Sequence, residues 1–208
     1  MTSSTIAFGA VGRTGRWELK MSAPEPNPVP VRPLIFDYPP TKLLPTREVL
    51  AALVLSGAKG TYSFEKALPR RFKADLGALG IEIVSPDLPG EEQIDIRSTE
   101  LVVAASTELP PSTPGRDSSL LILPPSERFQ GRLKGVKELA VASNARWLSS
   151  LYGPRVLASC GVLYAADLLA KRIIVPHISN EADFNHLRDL LAIGGLDLAA
   201  TPEGVINE

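Results

Sequence analysis

Two periods of apolar residues alternate along this chain. Thr5 to Val11 and Arg16 to Met21 flank Gly12-Arg13-Thr14-Gly15, and Trp17, Leu19 and Met21 fall on every second position. Period-two patterning across a glycine-bounded tetrad predicts a β-hairpin. Leu34-Ile35-Phe36 reads as a third short strand, ended by Pro39-Pro40. The period then lengthens. Val49, Leu50, Leu53 and Val54 make one helical stripe, with Thr46 placed to cap its start and Gly57 to stop it. After a connector from Ala58 to Ala67, Pro69 sits where a first helical turn tolerates proline, and Phe72, Leu76 and Leu79 recur at helical spacing before Gly80. Ile81 to Val84 alternates again as a strand.

In the second half, Leu101 to Ala105 and Leu120 to Leu123 are apolar runs of strand length. From Leu133 the pattern predicts a helix through Val136, Leu139, Ala140, Trp147, Leu148 and Leu151, ended by Gly153-Pro154. Val156 to Lys171 is expected as a second, strongly apolar helix. Ile173-Ile174-Val175 reads as a buried strand. Asn180 caps a last helix with Asp183 in its first turn and Phe184, Leu187, Leu190 and Leu191 as the stripe; Gly194-Gly195 stops it. No repeat is visible.

Proline changes this picture most. The 208 residues hold 19 prolines against 16 glycines, and five of them crowd Met21 to Pro33 (Pro24, Pro26, Pro28, Pro30, Pro33), which excludes helix and central strand there. Pro86 and Pro89, then Pro110, Pro111 and Pro114, mark further borders. They divide the chain into residues 1–88 and 89–208. The expected class is α+β, a three-strands-then-helices unit followed by a mixed α/β region. With 44% hydrophobic and 22% charged residues, a packed core is expected. A net charge of −1 gives no bulk attraction to nucleic acid or to an anionic membrane. One cysteine excludes an internal disulfide framework. Met1 to Ala10 lacks a signal peptide's basic start and apolar stretch, and Val156 to Ala170 is too short to span a bilayer, so a cytoplasmic location is expected.

Candidate chemistry is sparse. His177 and His186, with Glu181 and Asp183, supply ligand types for a two-histidine, one-carboxylate iron site, but neither histidine is followed two residues later by a carboxylate. The reading preferred is a strand-end histidine, a helix histidine and an N-terminal helix acid. Cys160 lies in the most apolar stretch, which favours a small buried hydrophobe over a nucleophile. Gly9, Gly12 and Gly15 lack the strand and helix context of a nucleotide fingerprint and read as turn glycines. Arg70, Arg71 and Lys73 beside Phe72 form a solvated basic cluster or a docking point for acidic side chains. An amphipathic helix next to an edge strand also makes a groove in which an extended peptide can add as a strand.

The order of elements carries a resemblance. Three N-terminal strands, then Leu44-Pro45-Thr46-Arg47-Glu48-Val49-Leu50-Ala51-Ala52-Leu53 and Leu68-Pro69-Arg70-Arg71-Phe72-Lys73-Ala74-Asp75-Leu76-Gly77-Ala78-Leu79-Gly80-Ile81, resemble the winged-helix precursor-peptide recognition element of ribosomal peptide natural-product biosynthesis (RiPP biosynthesis). The likeness covers the first 85 or so residues, with a proline-rich insertion that the archetype lacks. It implies a winged-helix-like unit at 1–88 that binds a leader peptide between the third strand and the last helix, at Leu34, Ile35, Phe36, Arg70, Arg71, Phe72, Lys73 and Leu76. Residues 89–208 would then dock onto a modifying enzyme, similar to the partner subunits of multinuclear iron oxidases. The chain itself would carry no cofactor, no metal and no catalytic residue. Its partners would be a precursor peptide and that enzyme, without nucleic acid or membrane.

Two other classes stand beside this. One is an iron-dependent peptide-modifying enzyme in which His177, Asp183 and His186 hold the metal or act as acid and base. The other is a winged-helix DNA-binding regulator reading duplex through Arg70, Arg71 and Lys73, which the pI near 6.2 disfavours.

Overall fold

Ile6, Leu19 and Met21 fix the hairpin. In the antiparallel pairing of β1 (Ser4–Val11) with β2 (Arg16–Ser22), Ile6 faces Met21 and Phe8 faces Leu19, so one face of the ribbon is apolar. Phe8 and Trp17 extend that face as stacked rings 6.0 Å apart. The computed structural model describes residues 3–11, 15–22, 32–57, 59–90, 99–105, 118–125, 132–133, 138–176 and 178–201. Most of the expected turn, Gly12 to Thr14, lies outside them, as do Pro24 to Pro30 and Pro110 to Pro114.

β3 (Leu34–Phe36) pairs with β2, and α1 (Pro45–Ser56) follows. Thr46 is not its cap. Leu44 holds that position, its carbonyl accepting the N–H groups of Arg47 and Glu48, and Pro45 occupies the first helical position, where its missing N–H costs nothing. Gly57 closes the helix in the left-handed conformation, as expected. The expected connector Ala58 to Ala67 contains a strand, β4 (Gly60–Phe64), which pairs parallel with β1 and buries Tyr62 and Phe64. β5 (Leu68–Pro69), α2 (Arg70–Ala78) and β6 (Ile81–Val84) complete the unit, with β6 parallel to β4. The sheet order is β3-β2-β1-β4-β6. These pairings define a five-stranded mixed sheet; they do not establish a winged helix. β7 (Asp87–Leu88) forms a separate two-stranded ladder with β5.

The second sheet runs β10-β11-β9-β8-β12-β13, from β8 (Thr99–Ala105), β9 (Ser118–Leu123), β10 (Arg132–Leu133), β11 (Glu138–Ala142), β12 (Ala170–Val175) and β13 (Asp197–Ala200). Only the β10 and β11 pair is antiparallel. The chain moves from β8 to one side, then returns through α3 (Ala145–Tyr152) and α4 (Arg155–Tyr164) to lay β12 on the other. Open parallel sheets hold ligands where their strand order reverses, beyond the carboxyl ends of the strands. Here that point lies between β8 and β12, and residues 106–117 and His177 are outside the described set.

The expected helix from Leu133 to Leu151 is corrected. Leu139 to Ala142 form β11, and the helix begins only at Ala145. A run buried on both faces of a parallel sheet shows continuous apolarity, so periodicity alone does not separate it from a buried helix. The expected helix Val156 to Lys171 also ends early: α4 stops at Tyr164, and Ala170 and Lys171 belong to β12. Asn180 caps α5 (Glu181–Ile193) as expected, its side-chain oxygen accepting the N–H groups of Ala182 and Asp183.

α1 and α4 pack on each other, α1 against β1 and β2 and α4 against β8 and β12, so two helices lie between two sheets in one continuous core. Ser159 Oγ in α4 donates to the Ala51 carbonyl in α1 at 2.8 Å. Residues 46 to 55 of α1 are all buried, which leaves that stretch of the helix no exposed face.

Candidate peptide-binding site

The eight residues expected to line one groove separate into two groups. β3 and β6 are opposite edges of the five-stranded sheet, and α2 packs on β6. Leu34, Ile35 and Phe36 therefore do not face α2. Leu34 and Phe36 are fully buried, Phe36 with its ring edge-on to Tyr164 of α4 at 5.6 Å. The outward hydrogen-bonding groups of Ile35 are also taken: its N–H donates to Asn144 Oδ1 at 2.8 Å, and its carbonyl accepts from Ser143 Oγ at 2.6 Å. An added strand finds no open partner at this residue, which corrects the expected groove.

A cavity of about 190 Å³ lies beside this seam, among residues that include Arg16, Asp37, Ser143 and Asn144. Three of its polar side chains, Ser143, Asn144 and Asp37, hold backbone groups. Ser143 Oγ also accepts the Ala145 N–H, Asn144 Nδ2 donates to the Pro33 carbonyl, and Asp37 Oδ1 accepts the Ala142 N–H.

The helix group stays together at the start of α2. Phe72 and Leu76 point inward and belong to the core. Arg70 and Arg71 project outward, with side chains 82% and 79% exposed. Arg70 Nε donates to Asp87 Oδ2 at 2.7 Å and Lys73 Nζ to Asp87 Oδ1 at 2.6 Å, so two cations converge on one carboxylate of β7. The hydrogen bond from Lys73, then that from Arg70, holds the Asp87 carboxyl below its usual range. Lys73 also donates to the Ser85 carbonyl. Arg71 lies 4.0 Å from Asp75, one turn on. Pro69, Arg70, Arg71, Asp87, Leu88, Pro89 and Gly90 surround an open depression of about 590 Å³.

The other candidates are placed apart from this depression. His177 is outside the described residues; His186 is half-buried on α5. Asp183 pairs with Arg155 at 3.2 Å, and Glu181 is exposed. No group of three His, Cys, Asp or Glu positioned for a metal occurs among the described residues. Cys160 is fully buried and its thiol is pushed far up by burial, which leaves no thiolate for nucleophilic chemistry. Sequence reasoning missed the buried charges of α1: Arg47 and Glu48 are each 1% exposed, and Lys66 pairs with Glu48. The unbroken apolar run Val49 to Leu55 was the available signal, since a helix apolar all round is buried all round.

No family model, no curated protein and no solved structure matches the chain. The class that stands is a mixed α/β protein of three sheets, one of them the two-stranded β5 and β7 ladder, and five helices among the described residues. None of those helices is long and apolar enough to cross a membrane.

Proposed function

We propose that this chain is a peptide-binding partner protein, itself non-catalytic, that captures an extended acidic stretch of a precursor peptide and presents it to a separate modifying enzyme. The observation that carries this reading is the convergence of Arg70 and Lys73 on Asp87 beside the open depression at α2. A carboxylate already sits between the two cations there, and Arg71 extends the basic surface outward. Acidic motifs are commonly read by such arginine clusters. Among the described residues β7 pairs only with β5, so a peptide laid along its outer side has a main-chain edge to follow. The likeness of the 1–88 unit to winged-helix recognition elements supplies the class of ligand; capture moves from β3 to the α2 and β7 side.

The test is fluorescence anisotropy with a labelled Glu-rich peptide and its Gln counterpart. Arg70→Glu combined with Arg71→Glu is expected to weaken binding of the Glu peptide by at least about tenfold, the loss of two charge-assisted contacts. Both side chains are exposed, so the fold is expected to survive. Equal binding of the two peptides, or affinity unchanged by the double reversal, rules the site out.

A further inference from the structure

Trp147 and Leu151 belong to the apolar pattern from which the helix was expected, yet they are 48% and 55% exposed. They are four residues apart on α3, hence one turn apart on the same face, while Ala145 and Leu148 on the other face are fully buried. The rim of this patch is cationic. The Arg32 guanidinium lies over the Trp147 ring at 4.8 Å, and Arg146 is exposed next to it. Arg70, Arg155 and Arg172 each have a carboxylate within the chain. Neither Arg32 nor Arg146 is in an ion pair among the described residues.

We infer that the outer face of α3 is a protein-docking surface whose occupant is an acidic, amphipathic segment of another protein: an aliphatic side chain set against Trp147 and Leu151, with flanking carboxylates on Arg32 and Arg146. Tryptophan and arginine are the residue types that most often dominate binding energy at interfaces. Here an aromatic and an aliphatic side chain form the apolar centre, and guanidiniums without an ion pair among the described residues form the rim, so charge complementarity selects an acidic partner. A polyanionic nucleic acid is disfavoured by the net charge of −1, which gives no long-range attraction. This surface is separate from the α2 depression, and the inference does not rest on the proposed function.

The chain has two tryptophans, so Trp17→Phe leaves Trp147 as the only indole reporter. The titration uses the full chain carrying Trp17→Phe with Arg70→Glu and Arg71→Glu, which silences the α2 depression. The probes are a synthetic amphipathic peptide of Leu and Glu and its Leu/Gln and Leu/Lys counterparts. The Leu/Glu peptide is expected to blue-shift Trp147 emission saturably and to bind about tenfold or more tightly than Leu/Gln, a preference abolished by Arg32→Glu with Arg146→Glu. Should Trp17→Phe fail to fold, the same titration in the chain with both tryptophans is read against Trp147→Phe, an exposed substitution that must remove the signal. Equal binding of the Glu and Gln peptides, or none, overturns the inference. So does a dimer in sedimentation that Trp147→Ala dissolves, which makes a second copy the occupant, or displacement of the peptide by a single-stranded oligonucleotide.

Discussion

Glu48 lies in the first turn of α1 with its side chain 1% exposed, and Lys66, half exposed, reaches it from the segment after β4. Desolvation and pairing pull the carboxyl in opposite directions. Burial raises its pKa, while the Lys66 hydrogen bond and charge, and the Phe8 backbone, lower it; burial prevails and the net shift is upward. A carboxyl that holds its proton more tightly in the folded chain than in the unfolded one makes stability fall as pH rises, from the ordinary glutamate range through the raised value. Glu48→Gln keeps a polar partner for Lys66 and removes the buried charge. Urea unfolding from about pH 4 to about pH 8 is expected to show wild-type stability declining with pH by more than that of Glu48→Gln. Parallel curves would mean that Lys66 compensates the burial fully. Asp87 has the opposite sign. Its lowered pKa keeps the tie to Lys73 and Arg70 intact at neutral pH, and that contribution is lost only as pH falls below the usual aspartate range.

At the scale of the element, α4 shows how closely a helix crosses the second sheet. A Cβ on Gly161 would stand 2.6 Å from Ile173 Cγ2 and 3.1 Å from Val103 Cγ2, both on fully buried side chains of β12 and β8. Alanine is the better helix former by about 1 kcal/mol, but a branched methyl in a filled core has little room to retreat. Overpacking, at about 1–3 kcal/mol, is therefore expected to win, and Gly161→Ala lowers the urea midpoint; a raised midpoint would show that α4 can lift off the sheet. Elements whose two faces differ were legible in the sequence, namely the β1 and β2 hairpin, α2, β6 and α5. β11 was not, because Leu139 to Ala142 are buried on both sides and show no alternation. β4 was hidden in a supposed connector, where only Tyr62 and Phe64 alternate. For the candidate site, residue chemistry identified Arg70, Arg71 and Lys73, but not the distance between β3 and α2. Three strands separate those two edges of the sheet, an order set by long-range pairing that spacing along the chain does not encode.

For the whole molecule, the proline borders suggested two units, yet the bonds between residues 33–56 and 142–167 are among the most specific in the structure. Asn144 bridges the Ile35 N–H and the Pro33 carbonyl, at 2.8 and 2.9 Å. Asp167 accepts the N–H groups of Thr41 and Lys42 and the Thr41 hydroxyl. Tyr164 donates to the Tyr38 carbonyl, and α1 packs on α4 throughout this contact. The helix on each sheet thus packs against the helix of the other within one continuous core. Unfolding in urea is expected as one transition, with fluorescence and far-ultraviolet circular dichroism coinciding. Asn144→Ala leaves the Ile35 N–H and Pro33 carbonyl without that partner, at a cost of about 2 kcal/mol. The lowered midpoint should carry an unchanged m-value if the halves remain one cooperative unit. Two separated transitions, in the wild type or in Asn144→Ala, would instead restore the division near residue 88 and make the shared core a docking interface between independent units.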